Sequence, residues 1–217
     1  YDKGTFGKPM LIKDATAQFP DAAVCGLLML AHIKNVQDQN PDKHKYKGRV
    51  VVLGNRIWNL KDGTVTFMNG KDEGLYGDVA SLAAFRAVAS HATRKNYVLE
   101  SADVANAYLN APWPKDQRKQ FLKFSQNEYK LLPDVYKAEI DKLGGPDKVL
   151  VPMDYCLYGH PLSGFIWIAQ LHQWLLDEGF ELVPGVKSLY QKKDVLICVY
   201  VDDLAVAGPR DQVDALW

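Results

Sequence analysis

Cysteine is scarce in this chain. Cys25, Cys156 and Cys198 are odd in number and far apart. That excludes a disulfide framework and a clustered zinc site, and it points to a reducing compartment. An excess of one charge is also missing. Lys plus Arg is 26 and Asp plus Glu is 26, so the formal net charge is zero. A nucleic-acid binder is usually basic overall, so any such binding here must come from local patches. No apolar run is long enough to span a bilayer, and no stretch reads as a signal peptide. Gly70, Gly74 and Gly77 fit neither Gly-rich phosphate signature. No Ser–His–Asp signature, internal repeat or low-complexity segment is visible. What remains is ordinary globular composition: 217 residues, 47% hydrophobic and 24% charged. That is enough for a sizeable core in one domain or two lobes.

One stretch stands out, Val195-Leu196-Ile197-Cys198-Val199-Tyr200-Val201-Asp202-Asp203-Leu204-Ala205-Val206-Ala207-Gly208. Two apolar runs flank a pair of adjacent acids. The pattern predicts a strand, a tight turn carrying Asp202 and Asp203, and a returning strand. Hairpin turns often contain Asp, so the bland alternative is a pair of turn residues. A turn needs only one acid, however, and two adjacent carboxylates repel each other and gain from a cation. At the rim of a buried sheet they are expected to be partly desolvated. Hard oxygen ligands in such a place suit magnesium or manganese.

Residues 1–20 read as a loop-rich approach, with Asp21 capping a helix from about Ala22 to Val36. Lys43, Lys45, Lys47 and Arg49 fall on alternate residues, and in an extended conformation they share one face. Such a ribbon suits a polyphosphate, although a charge run is usually only a solvated face. Val50–Gly54 reads as a strand and Lys61–Thr64 as a hairpin tip. From about Val79 to Thr93 the period is helical, with Leu82, Phe85, Val88 and Ala89 on the stripe. Tyr97–Val104 reads as a strand ended by Asp103. Phe121–Phe124 and Val149–Pro152 read as short strands, and Leu132–Leu143 as a short helix. A last helix runs from about Ser163 to Glu178, with Phe165, Trp167, Ile168, Leu171, Trp174 and Leu175 apolar.

These residues resemble a known family, the reverse transcriptase domain of copia-type LTR retrotransposons. Asp103-Val104-Ala105-Asn106-Ala107-Tyr108-Leu109 looks like its D-V-x-N-A-aromatic-L motif. Leu157-Tyr158-Gly159, with Trp167 eight residues after the glycine, looks like its L-Y-G…W motif. Tyr200-Val201-Asp202-Asp203 is similar to its Y-V-D-D box, and Lys47-x-Arg49-Val50-Val51 to its K-x-R-L-V segment. The resemblance covers about residues 45 to 208. It implies an α+β fold, the fingers and antiparallel palm sheet of a right-handed polymerase. Fingers would take roughly 20–95 and 112–156, and palm roughly 96–111 and 157–217. The chain reads as a fragment, with thumb, RNase H and integrase expected outside it.

The resemblance also implies an activity, RNA-directed DNA polymerisation by two-metal phosphoryl transfer. Asp103, Asp202 and the backbone carbonyl of Val104 would hold two magnesium ions, with manganese as a substitute and Asp203 more peripheral. Lys45, Lys47 and Arg49 would hold the triphosphate of a deoxynucleotide. Ala107 and Tyr108 would line the sugar pocket, with Tyr108 as the steric gate against a ribose 2′-hydroxyl. Tyr200, Val201 and Leu162 would face an RNA or DNA template and its primer. Two departures stand out: His160-Pro161-Leu162 replaces the usual L-K-Q, and Ala105 stands where Lys is common. They keep a second class open, a decayed or repurposed element that binds nucleic acid or a partner without catalysis. A third reading is another metal-dependent phosphotransferase or nuclease. By family analogy the location is a cytoplasmic virus-like particle, or the nucleus within a replication complex, with no membrane.

Overall fold

A computed structural model describes residues 4–65 and 78–217. The glycine loop expected over 69–77 lies outside the described residues. In chain order the elements are β1 (Met10–Leu11), α1 (Ile12–Gln18), β2 (Ala23–Lys34), β3 (Lys45–Asn59), α2 (Leu82–Lys95), β4 (Val98–Asp103), β5 (Gln120–Lys123), α3 (Gln126–Lys130) and α4 (Asp134–Lys142). There follow β6 (Val149–Pro152), α5 (Ser163–Asp177), β7 (Glu181–Leu182), β8 (Leu189–Lys192), β9 (Val195–Tyr200), β10 (Asp203–Gly208) and α6 (Arg210–Leu216). The class is α+β, with two mostly antiparallel sheets and six helices among the described residues. No described helix is long and apolar enough to cross a membrane.

The chain divides into two compact units. The first is Tyr1–Gly70 with Pro112–Ser163, and the second is Lys71–Ala111 with Gly164–Trp217. These limits differ from the expected division in two places. Residues 157–163 join the unit of β2 and β3, because Val52 N–H donates to Tyr158 O at 2.7 Å and Gly159 sits against Val52. Helix α2 joins the unit of β4 and β10, because its small face packs on that sheet.

In the first unit the sheet order is β1-β6-β5-β2-β3. The sequence reading expects a helix from Ala22 to Val36, and the chain forms β2 there instead. It lies between β3, antiparallel, and β5, parallel, and its first half is apolar because consecutive residues Ala23, Val24 and Cys25, with Leu27, are buried, so both faces are covered there. Continuous apolar runs of this kind mark strands buried on both faces, and periodicity cannot separate them from buried helix. A bulge between Cys25 and Leu27 shifts the register at Gly26. Ala15 of α1 packs with Ala22, Val24, Phe121 and Leu150 to form the core. Short α1 thus occupies part of the stretch read as loop, and α3, closed by a Ser125–Glu128 capping box, is a second unexpected helix.

In the second unit the order is β4-β10-β9-β8-β7, all antiparallel. Helix α2 starts at Ser81, whose side chain accepts from Ala84 N–H, and ends at Asn96 in the left-handed conformation. Its buried face is Ala84, Val88 and Ala92, set on Cys198, Ala205 and Ala207 of the sheet. Leu82 and Phe85, expected on the inner stripe, are 63% and 45% exposed. Ala84, Val88 and Ala92 at four-residue spacing let the helix lie close to the strands, and larger side chains on that face would hold it off. On α5, Trp167, Leu171 and Leu175 are buried as expected, while Phe165 and Trp174 are partly exposed.

Candidate active site

Asp103 and Asp202 lie 99 residues apart in sequence, and only the sheet of the second unit brings them near each other. Strand β10 pairs with β4 so that Asp203 lies directly opposite Asp103. Directly opposed residues project to the same face. Asp203 also pairs with Tyr200, which leaves Val201 and Asp202 as a two-residue hairpin loop. Val201 has φ 59° and Asp202 has no positive φ. That is the pattern of a type II′ turn, whose first central position normally takes glycine. Val104 N–H donates to Asp202 O at 2.8 Å, so the loop is tied to the end of β4. The indole Nε1–H of Trp167 donates to Val201 O at 2.7 Å. Backbone register alone therefore gathers three aspartates at one end of one sheet.

Asp103 and Asp203 are exposed and Asp202 is half-buried, so the expected desolvation at a buried rim is not found. None of the three carboxylates has a hydrogen bond or ion pair among the described residues. As placed, they are not gathered into a three-ligand metal group. The donor set nevertheless fits a divalent cation, since three uncompensated oxygen acids at one sheet end suit magnesium or manganese. Beside Asp203 and Tyr200 lies an open cavity of about 400 Å³, lined also by Ser81, Phe85, Ser101 and Leu204.

Past Asp103 the chain turns at Asn106, φ 54°, into a 3-10 helix over Ala107–Asn110. Tyr108 is half-buried there, and a Cβ added at Gly164 would stand 3.8 Å from its hydroxyl. Ala107 is only 1% exposed, so its methyl group offers no surface to a nucleotide, contrary to expectation. Tyr200 is 56% exposed and Val201 half-buried.

The first unit carries the basic ladder and Leu162. Lys45, Lys47 and Arg49 share one face of β3. Lys43 does not join them, because it ends a 3-10 helix over Pro41–Lys43 and pairs with Asp38 at 3.0 Å. The register sets Leu30 opposite Arg49, His32 opposite Lys47 and Lys34 opposite Lys45. His32 and Lys34 therefore extend the same basic face. A strand reading of Ala22–Val36 would have shown this, and the helix reading hid it. Arg49 sits over the Tyr158 ring at 5.2 Å, a cation–π contact that fixes the guanidinium. Gly159 has φ 85°, and a Cβ there would meet Val52 O at 2.1 Å, so the backbone approach requires glycine.

Leu162 is half-buried, and its N–H donates to Nδ1 of His160 at 3.2 Å. That bond puts the His160 proton on Nε2, which is buried without a partner among the described residues. The ring stands edge-on to Trp113 at 4.7 Å, and burial pushes its pKa down to about 4. Burial likewise pushes the Cys25 and Cys156 thiols up to about 12, which leaves them as inert core.

No protein-family model matches the chain. Among known proteins it is 25% identical over 181 residues to the Transposon Ty1-DR4 Gag-Pol polyprotein of Saccharomyces cerevisiae, covering 78% of this chain and 10% of that protein. It is 25% identical over 217 residues to the Transposon Ty1-H Gag-Pol polyprotein of the same yeast, covering 94% of this chain and 11% of that protein. Its relatives are retrotransposon Gag-Pol polyproteins. The chain spans about a tenth of the length of these relatives. This similarity supports a retroelement-derived region and leaves the region within Gag-Pol unassigned.

Proposed function

We propose that this chain is the fingers-and-palm part of an RNA-directed DNA polymerase from a copia-type retroelement polyprotein. The observation that carries the reading is the register of Asp103 opposite Asp203, with Asp202 in the loop between β9 and β10. The order of the D-V-x-N-A-aromatic-L, L-Y-G…W and Y-V-D-D segments and the Gag-Pol relatives support it. In the reaction a primer 3′-hydroxyl attacks the α-phosphorus of a deoxynucleoside triphosphate. A new P–O bond forms, the bond to pyrophosphate breaks, and the hydroxyl loses its proton.

Protein contributes alignment and charge to such a transfer. Asp103, Asp202 and the Val104 carbonyl would hold magnesium, with Asp203 adding charge. Magnesium there supplies charge neutralisation and a lowered pKa for the primer hydroxyl. Tyr108 would stack under the sugar and exclude a 2′-hydroxyl. Lys45, Lys47 and Arg49 would bind phosphate, Arg49 with its plane already fixed by Tyr158. Tyr200, Val201 and Leu162 would contact primer and template. The polyprotein segments beyond this chain and the location in virus-like particles belong to the same proposal.

A second reading keeps the fold without the chemistry. Leu162 in place of a polar Gln and the zero net charge favour a repurposed element. Primer extension on an RNA template separates the two, using a chain continued past Trp217, magnesium, and Asp202→Asn beside the parent. Incorporation by the parent, falling at least about a thousandfold in the variant, supports the polymerase reading. No incorporation by a folded parent with magnesium or manganese overturns it.

A further inference from the structure

Six described residues other than glycine have positive φ: Asn35, Asn96, Asn106, Ser188, Lys193 and Val201. Asparagine is the residue that tolerates this region best after glycine. Val201 is the β-branched one, and for such a side chain the conformation is an outlier that surrounding structure must hold in place. Two hydrogen bonds hold it. On one side Val104 N–H reaches Asp202 O at 2.8 Å, and on the other Trp167 Nε1–H reaches Val201 O at 2.7 Å. Trp167 is fully buried, and its ring stands edge-on to Trp174 at 5.8 Å. The core of α5 thus fixes the direction of the indole N–H.

We infer that Trp167 is a positioning residue that clamps the Val201–Asp202 turn in its disfavoured conformation and so presents Asp202 beside Asp103. Without the clamp, valine relaxes toward negative φ, the loop re-aims, and Asp202 swings out of the acid cluster. Trp167 touches no substrate, and its effect passes through the backbone of Val201. The catalytic meaning of the clamp rests on the polymerase reading, whereas the clamp itself does not.

The decisive experiment is a double-mutant cycle between Trp167→Phe, which keeps an aromatic ring and removes the donor, and Val201→Gly, which removes the disfavour at positive φ. Two quantities are read: manganese affinity by electron paramagnetic resonance, and hydrogen exchange of the Val104 amide. Trp167→Phe is expected to weaken manganese binding about tenfold, in the range for groups that orient metal ligands. It should speed exchange of the Val104 amide by a similar factor. Adding Val201→Gly should return both most of the way to the parent values. Unchanged values in Trp167→Phe overturn the clamp. A loss that Val201→Gly does not repair also overturns it, since a plain core role predicts that result. If the parent binds no manganese, the metal reading fails and amide exchange alone decides the clamp. If Trp167→Phe does not fold, exchange of the Trp167 indole proton in the unaltered chain decides. Protection matching the Val104 amide supports the clamp, and free exchange overturns it.

Discussion

His160 shows how a single buried atom governs behaviour across a pH range. Its Nε2–H has no acceptor among the described residues, and burial holds its pKa at about 4, against 6.5 for an unburied histidine. Between those values the unfolded chain carries a proton that the folded chain does not. Stability therefore rises with pH through this window and is lost as pH falls through it. The loss from pH 7 to pH 4 should reach about 3 kcal/mol, and it levels off within about one unit below pH 4 as the folded histidine also takes its proton. In urea titrations from pH 7 to pH 4, His160→Asn, which keeps an acceptor but does not titrate, should show a shallower fall than the parent. Parallel curves would sink the assignment. At this scale the sequence showed Asp103, Asp202 and Asp203 because adjacent or strand-ending acids are legible as letters. It could not show Trp167 or His160 as working groups. Their roles are one hydrogen bond made and one left unmade, and neither leaves a trace in spacing.

At the scale of elements, the hairpin of β2 and β3 carries the plainest conflict between stability and binding. Lys34 stands directly opposite Lys45, and His32 opposite Lys47. Like charges in opposed positions destabilise a strand pair by about 0.2–1 kcal/mol. A face so arranged is relieved when a polyanion lies on it. Lys34→Glu should therefore raise stability slightly and weaken binding to single-stranded nucleic acid. It should also lower the slope of log affinity against log salt by at least about 0.7. A thermal scan and a salt titration of binding check both signs together, and an unchanged slope would remove Lys34 from the interface. The hairpin was only half legible. Alternation of Lys45, Lys47 and Arg49 gave β3, while Ala22–Val36 read as helix because a strand buried on both faces, as over residues 23–27, has no polar alternation to show. Helix α2 was legible in extent, but its inner face was not. Alanine signals close packing only once the opposing strand is known.

For the whole molecule, zero net charge conceals segregation. Acids without partners among the described residues collect at one end of the sheet in the second unit, and cations line one face of β3 in the first. A metal that binds the folded state alone raises its melting temperature by mass action. Magnesium should thus raise the melting temperature of the parent. Asp203→Asn, which removes one of two opposed charges, should melt about 2 °C higher than the parent without metal. It should also gain less from added magnesium, and equal gains in a differential scan would contradict the site. Pairing of β4 with β10 was legible only through resemblance, because nothing local joins residues as far apart in sequence as Asp103 and Asp203.

The division into units bears on how the molecule comes into being. The path crosses from one unit to the other after Gly70, Ala111 and Ser163, so each unit is built from two separate lengths of chain. Strand β2 emerges from the ribosome long before its parallel neighbour β5, which begins at Gln120. Until then Ala23, Val24 and Cys25 present an unpaired apolar edge, the kind that joins to another copy. A reading frame interrupted before Gln120 would not yield a smaller working piece. It would yield a sticky strand, and the cell would meet it as an aggregation hazard and not as a partial enzyme.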